Sequence, residues 1–147
     1  MQHHTEPKPE FEPSAPRRTS LWMGRILVAE DNDGMLRLLR RHLRADGHDV
    51  VEAKNGLELM QWIDAMARSG DPELLCDLIV TDLRMPAYSG QQCLDELRQR
   101  GLGTPVIMIT AFGDKAVHEA ALASGARAVF DKPLDFEDLI SAVRTLL

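Results

Sequence analysis

From residue 25 onward the apolar residues switch repeatedly between two periods. Short apolar, β-branched runs at 26–30, 48–53, 78–81, 106–110 and 128–130 predict strands. Four of them are near-continuous in apolar residues, as expected for strands covered on both faces of a parallel sheet. Between and after them, stretches at about 33–46, 56–69, 88–100, 114–124 and 135–147 predict helices. In the last, Phe136, Leu139, Ile140, Val143 and Leu147 fall on one stripe, and Asp135 stands where an N-cap belongs.

Alternating βα units of this kind require right-handed crossovers, which place helices on both faces of the sheet. The predicted fold is therefore α/β, a doubly wound, flavodoxin-like, five-stranded parallel sheet in the order 2-1-3-4-5. In such sheets ligands collect beyond the carboxyl ends of the strands, where the strand order reverses between strands one and three.

Residues 1–24 break the rhythm. They hold Pro7, Pro9, Pro13 and Pro16, and their three acids balance their three bases, so they read as an extended or disordered tail with at most an incidental docking role. A single domain at 25–147 remains, and it carries the chain's net charge of −6. An acidic surface repels phosphate backbones and anionic lipid, which argues against direct nucleic-acid binding. The apolar runs are far shorter than the roughly 20 residues that span a bilayer. The amino terminus lacks the basic-then-apolar pattern of a secretory signal, so the protein is read as cytoplasmic. Cys76 and Cys93 show no metal-ligand spacing and are read as plain buried thiols.

The candidate chemistry lies on one rim. Strand one runs into Glu30 and Asp31, strand three into Asp82, strand four into Thr110, and strand five is followed by Lys132 and Pro133. With strands one and three adjacent, three carboxylates converge, and their repulsion is tolerable only beside a cation. Oxygen-only ligands favour a hard divalent ion such as Mg2+, which keeps room in its shell for phosphate oxygens. Lys132 and Thr110 supply an ammonium and a hydroxyl for phosphoryl oxygens, and Asp82 is the central candidate for a nucleophile that forms an acyl phosphate. Taken singly, Asp31 or Asp82 reads as well as a helix N-cap, Thr110 as a strand residue and Lys132 as a solvated lysine. Five suitable groups at the ends of four strands outweigh those separate readings.

These segments, ILVAEDN at 26–32, DLIVTDLRMP at 77–86, VIMITA at 106–111, and the stretch from Gly125-Ala126 through Lys132-Pro133, resemble the receiver domain of bacterial two-component response regulators. The resemblance covers 25–147 in order. It implies that Asp82 is the phosphoacceptor, that Glu30 and Asp31 hold Mg2+ together with Asp82 and the Arg84 carbonyl, and that Thr110 is the switch hydroxyl. It also implies that Lys132 binds the phosphoryl group ahead of a cis bond to Pro133, and that Ala111 stays small for access. Two features depart from the family. Val129 stands where an aromatic switch residue is usual, with Phe130 expected on the opposite side of the strand. The segment 65–76 is longer than usual, for which an extra helical turn is the plain reading.

The expected function is a stand-alone phosphoacceptor switch rather than a turnover enzyme. It receives phosphoryl groups from a histidine kinase or a histidine phosphotransfer protein and acts on a downstream protein, with the face of helix four, strand five and helix five as a possible homodimer surface. The competing reading is a metal-dependent aspartyl-phosphate phosphatase, which usually has a second Asp two residues after its nucleophile. Arg84 occupies that position here.

Overall fold

The computed structural model describes residues 11–17, 22–111 and 115–147. Five strands and five α-helices follow one another in the expected alternation: β1 (Arg25–Ala29), α1 (Asp33–Ala45), β2 (Asp49–Ala53), α2 (Gly56–Ser69), β3 (Leu78–Asp82), α3 (Gly90–Gln99), β4 (Val106–Thr110), α4 (Lys115–Ala123), β5 (Ala128–Asp131) and α5 (Phe136–Leu146). All pairings are parallel and the order is β2-β1-β3-β4-β5.

Because successive strand side chains point to opposite faces, each run feeds two cores. Leu27, Ile79, Val106 and Met108 pack with Leu59, Trp62 and Ile63 of α2 and Leu94 and Leu97 of α3, and Ala121 of α4 joins them. Ile26, Val28, Val80, Ile107 and Ile109 face the other way, onto Leu36, Leu39 and Leu43 of α1 and Leu139 and Val143 of α5. Val129 and Phe130 divide between the same two layers, so Phe130 is turned away from the switch position.

The long segment after α2 does not extend that helix. Gly70, at φ 63°, ends α2 in the left-handed region, and Asp71 then caps a single 3-10 turn at Pro72–Leu74. Leu74 and Cys76 tuck back against the α2 layer.

Residues 11–17 carry no helix or strand, and they lie along the folded domain. Phe11 packs on Trp62 with ring centroids 6.4 Å apart, and Ala15 joins the same core. The Pro16 carbonyl accepts a hydrogen bond from Arg25 Nη2. Arg25 is fully buried; its Nε pairs with Asp49 Oδ2 at 2.8 Å, its Nη1 donates to the Glu73 carbonyl, and its guanidinium lies 5.7 Å from the Trp22 ring centre. The cause is apolar contact around a buried cation whose donors need acceptors. Residues 1–10 and 18–21 lie outside the described residues.

Removing the Phe11 ring uncovers Trp62. In a Trp22→Phe background, Phe11→Ala should lower stability by about 1–2 kcal/mol, less than for a fully buried ring, and shift tryptophan emission to the red. Unchanged emission and denaturation midpoint would show that the segment does not cover Trp62 in solution.

Candidate functional site

The carboxyl ends of β1, β3, β4 and β5 form one rim, and the ladder register fixes what stands there. Ala29 is level with Thr81, Asp82 with Ile109 and Thr110 with Asp131, so Glu30, Asp82 and Lys132 follow directly on paired positions. Glu30 and Asp82 are buried, at 1% and 6% exposure, while Asp31 is exposed. One carboxylate oxygen from each of Glu30, Asp31 and Asp82 lies within 4.8 Å of the others. An all-oxygen set of this charge and spacing suits a hard divalent cation.

Lys132 reaches into the cluster. Its Nζ stands 3.0 Å from Asp82 Oδ2 and 3.3 and 3.2 Å from the two Glu30 oxygens. The peptide bond from Lys132 to Pro133 is cis, and the Lys132 amide donates to the Thr110 carbonyl at 2.8 Å. Thr110 is buried at the end of β4, and Ala111 beside it is exposed. The Arg84 amide donates to Asp82 Oδ1 at 3.2 Å, which brings the Arg84 backbone to the cluster. Phe112, two residues after Thr110, would by resemblance to the receiver family flank the path of an attacking water; it lies outside the described residues.

The competing role of the acids as helix caps is taken by other residues. Asn32 caps α1, its side chain accepting from the Met35 amide at 2.9 Å, which leaves the Asp31 carboxylate free of that task. Ser89 caps α3 in a reciprocal pair with Gln92, seven residues beyond Asp82. The Ser-Gly-Gln-Gln string at 89–92 carries that capping signal in the sequence, and the helix starts two residues after the predicted 88.

Gly90 is the residue that sequence reasoning missed. A Cβ there would come within 2.5 Å of the Asp82 carbonyl, so only glycine lets α3 start against the turn that carries the nucleophile. Its amide donates to the Leu83 carbonyl at 2.8 Å and closes that turn. Ala87 in the same loop has φ 71°, a strained region for a residue with a Cβ.

Electrostatically the cluster is short of positive charge. Burial, then the Asp82 charge, push the Glu30 carboxyl up to about 7, against the pull of Lys132. Burial opposes the Lys132 charge, yet the hydrogen bond to Asp82 and the charges of Asp82 and Glu30 hold its ammonium above the ordinary lysine value.

The sign of the pH effect follows. A carboxyl raised from 4.5 to about 7 binds its proton more tightly in the folded state. Its contribution to stability is present below the ordinary value and is lost as pH rises through the folded one. In chelator, the denaturation midpoint should fall from pH 4.5 towards 7, and Glu30→Gln should flatten that limb. Parallel curves for the two proteins would refute the assignment.

Comparison with known proteins places this rim in a family. The sequence model described as response regulator receiver domain matches residues 26–144. The polar-differentiation response regulator DivK of Brucella anthropi is 30% identical over 128 residues, covering 83% of this chain and 94% of that protein. A transcriptional regulatory protein of Bacillus subtilis, YkoG, is 32% identical over 124 residues, covering 84% of this chain and 51% of that protein. The chain thus spans about half the length of that relative and nearly all of DivK. Among solved structures, the receiver domain of the Francisella response regulator 1452 superimposes with a TM-score of 0.75 at 28% identity, covering 84% of this chain and 95% of that one. Among the described residues no helix is long and apolar enough to cross a membrane. The matched strands, their order and the acidic rim at their carboxyl ends belong together: this chain is a member of the response regulator receiver domain family of two-component systems.

Proposed function

We propose that Asp82 accepts a phosphoryl group from the phosphohistidine of a cytoplasmic histidine kinase or phosphotransfer protein, and that the resulting change is passed on by protein contacts. The observation that carries this reading is the Lys132 ammonium, 3.0 Å from Asp82 Oδ2, beside three carboxylates that meet at one point. Mg2+ held by Glu30, Asp31, Asp82 and the Arg84 carbonyl would offset the charge of the phosphoryl oxygens.

An Asp82 oxygen forms the new P–O bond while the P–N bond to the donor imidazole breaks, and the electron pair of the broken bond leaves with the imidazole nitrogen. Lys132 transfers its hydrogen bond from the Asp82 carboxylate to a phosphoryl oxygen, and the Thr110 hydroxyl donates to another. Ala111 leaves the approach open. Nothing at the rim favours a phosphatase, since Arg84 stands where that chemistry needs an acid or base, and we read the chain as a switch with slow self-dephosphorylation rather than a turnover enzyme. The surface of α4, β5 and α5 is the proposed output face, with self-association through it as one form of output.

Intact mass after incubation with a small phosphodonor and Mg2+ should show one added phosphoryl group. Asp82→Asn and excess chelator should each remove it. Equal labelling of Asp82→Asn would exclude this residue as the acceptor.

The lifetime of the acyl phosphate depends on a group that orients the attacking water by accepting its hydrogen bond. The guanidinium of Arg84 and the ring of Phe112 supply no acceptor. The native chain should lose its phosphoryl group slowly, and Arg84→Asn/Phe112→Glu should lose it about tenfold or more faster, a floor set below the full effect of a positioned acid–base group. Equal decay of the two proteins would show that other positions set the lifetime.

A further inference from the structure

Helix α4 is the most weakly moored helix of the fold. Ala121 is its one fully buried residue among those described, and Leu122 is 48% exposed. A helix with so little buried surface belongs to the low-stability end of the molecule, from which moving elements are drawn. Among the described residues, two side-chain hydrogen bonds tie this region to its neighbours. Ser124, just past its end, receives Gln91 Nε2 of α3 at 2.6 Å. In its middle, His118 Nε2 meets Asp131 Oδ1 at the end of β5, 2.9 Å away.

The position of Asp131 gives the second bond its meaning. Asp131 is level with Thr110 across the β4–β5 ladder and precedes Lys132 in the chain. It therefore sits between the two groups that the proposed function assigns to the phosphoryl oxygens. A backbone shift at Thr110 or Lys132 is thereby passed directly to the residue that carries the Asp131 carboxylate. The residue usually aromatic in the family switch is Val129, which lies in the α2–α4 core layer and offers no polar atom to couple with Thr110.

We propose that the His118–Asp131 hydrogen bond couples the phosphorylation site to α4: it holds α4 in its unphosphorylated position and is given up when Asp82 is modified. A neutral imidazole protonated on Nε2 donates to the carboxylate, so the link does not require a charged histidine. The bond is half-exposed and individually weak, which suits a tie that a modest shift of Asp131 must break. This inference rests on Asp82 being the phosphoacceptor. His118 and Asp131 are positioning residues that touch no phosphoryl group.

The test is amide exchange of α4 in the full chain, with and without beryllofluoride and Mg2+ as a phosphoryl mimic. In the native chain the mimic should speed α4 exchange. His118→Ala and Asp131→Ala should exchange about two- to fivefold faster before any mimic is added, the range expected for a half-exposed pair, and should respond little to it. His118→Gln, whose amide replaces the Nε2 donor, should keep both the slow exchange and the response. A merely structural loss would speed exchange in both states and leave the increment intact. That result, or native exchange rates in His118→Ala, would overturn the coupling. Intact-mass labelling of Asp82 in parallel separates the two levels. A native chain that does not label overturns the phosphoacceptor reading and the coupling with it, whereas normal labelling with a full mimic response in His118→Ala overturns the coupling alone.

Discussion

The arrangement of the molecule depends on a concentration of negative charge at the switch point of the sheet. Glu30 and Asp82 are buried side by side with Asp31 at the opening, and the ammonium of Lys132 is the cation that reaches them. Removing carboxylates from water is costly unless they are paired, so the fold must deliver Lys132 to that point from the far side of two other strands. The order β1-β3-β4-β5 does so, and the bond from the Lys132 amide to the Thr110 carbonyl fixes where the lysine chain begins. The cluster sets three carboxylates against one ammonium, burial and the Asp82 charge raise the Glu30 carboxyl, and such an acidic site favours a further cation.

The two layers around the sheet differ in firmness, and the difference bears on signalling. α1 and α5 press three and two fully buried residues onto one face, and α2 and α3 are comparably anchored on the other. α4 buries one residue among those described, beside an edge strand whose residues are only partly covered. A change at the rim therefore meets least resistance along β5 and α4.

Towards the β2 edge, the amino-terminal stretch and the long segment after α2 meet on one side chain. Arg25 donates to the Pro16 carbonyl of the amino-terminal stretch and to the Glu73 carbonyl of the 3-10 turn, and it pairs with Asp49 of β2. The inserted turn supplies an acceptor for a buried guanidinium, and the stretch that carries Phe11 covers Trp62. Both additions act on packing around β2, the other edge of the sheet.

The period of the apolar runs determined the strand and helix sequence, since a strand covered on both faces and a helix with one apolar stripe leave different marks on a chain. The acidic rim was equally legible: Glu30, Asp31, Asp82, Thr110 and Lys132 each stand immediately at or after a strand's end, where local sequence and parallel pairing agree. Packing settled the rest. Whether Asp31 served as a cap depended on Asn32 winning that place, and the need for Gly90 appears only when α3 is laid against the Asp82 carbonyl. Proline content made 11–17 look detached, but their place was decided by Trp62, far along the chain, and by the buried Arg25 guanidinium, whose donors need acceptors. The partner of His118 likewise lies 13 residues on, in another element, and is fixed by how α4 rests on β5. Local periodicity records which face of each element is buried, whereas contacts between elements depend on distances that exist only once the sheet is assembled.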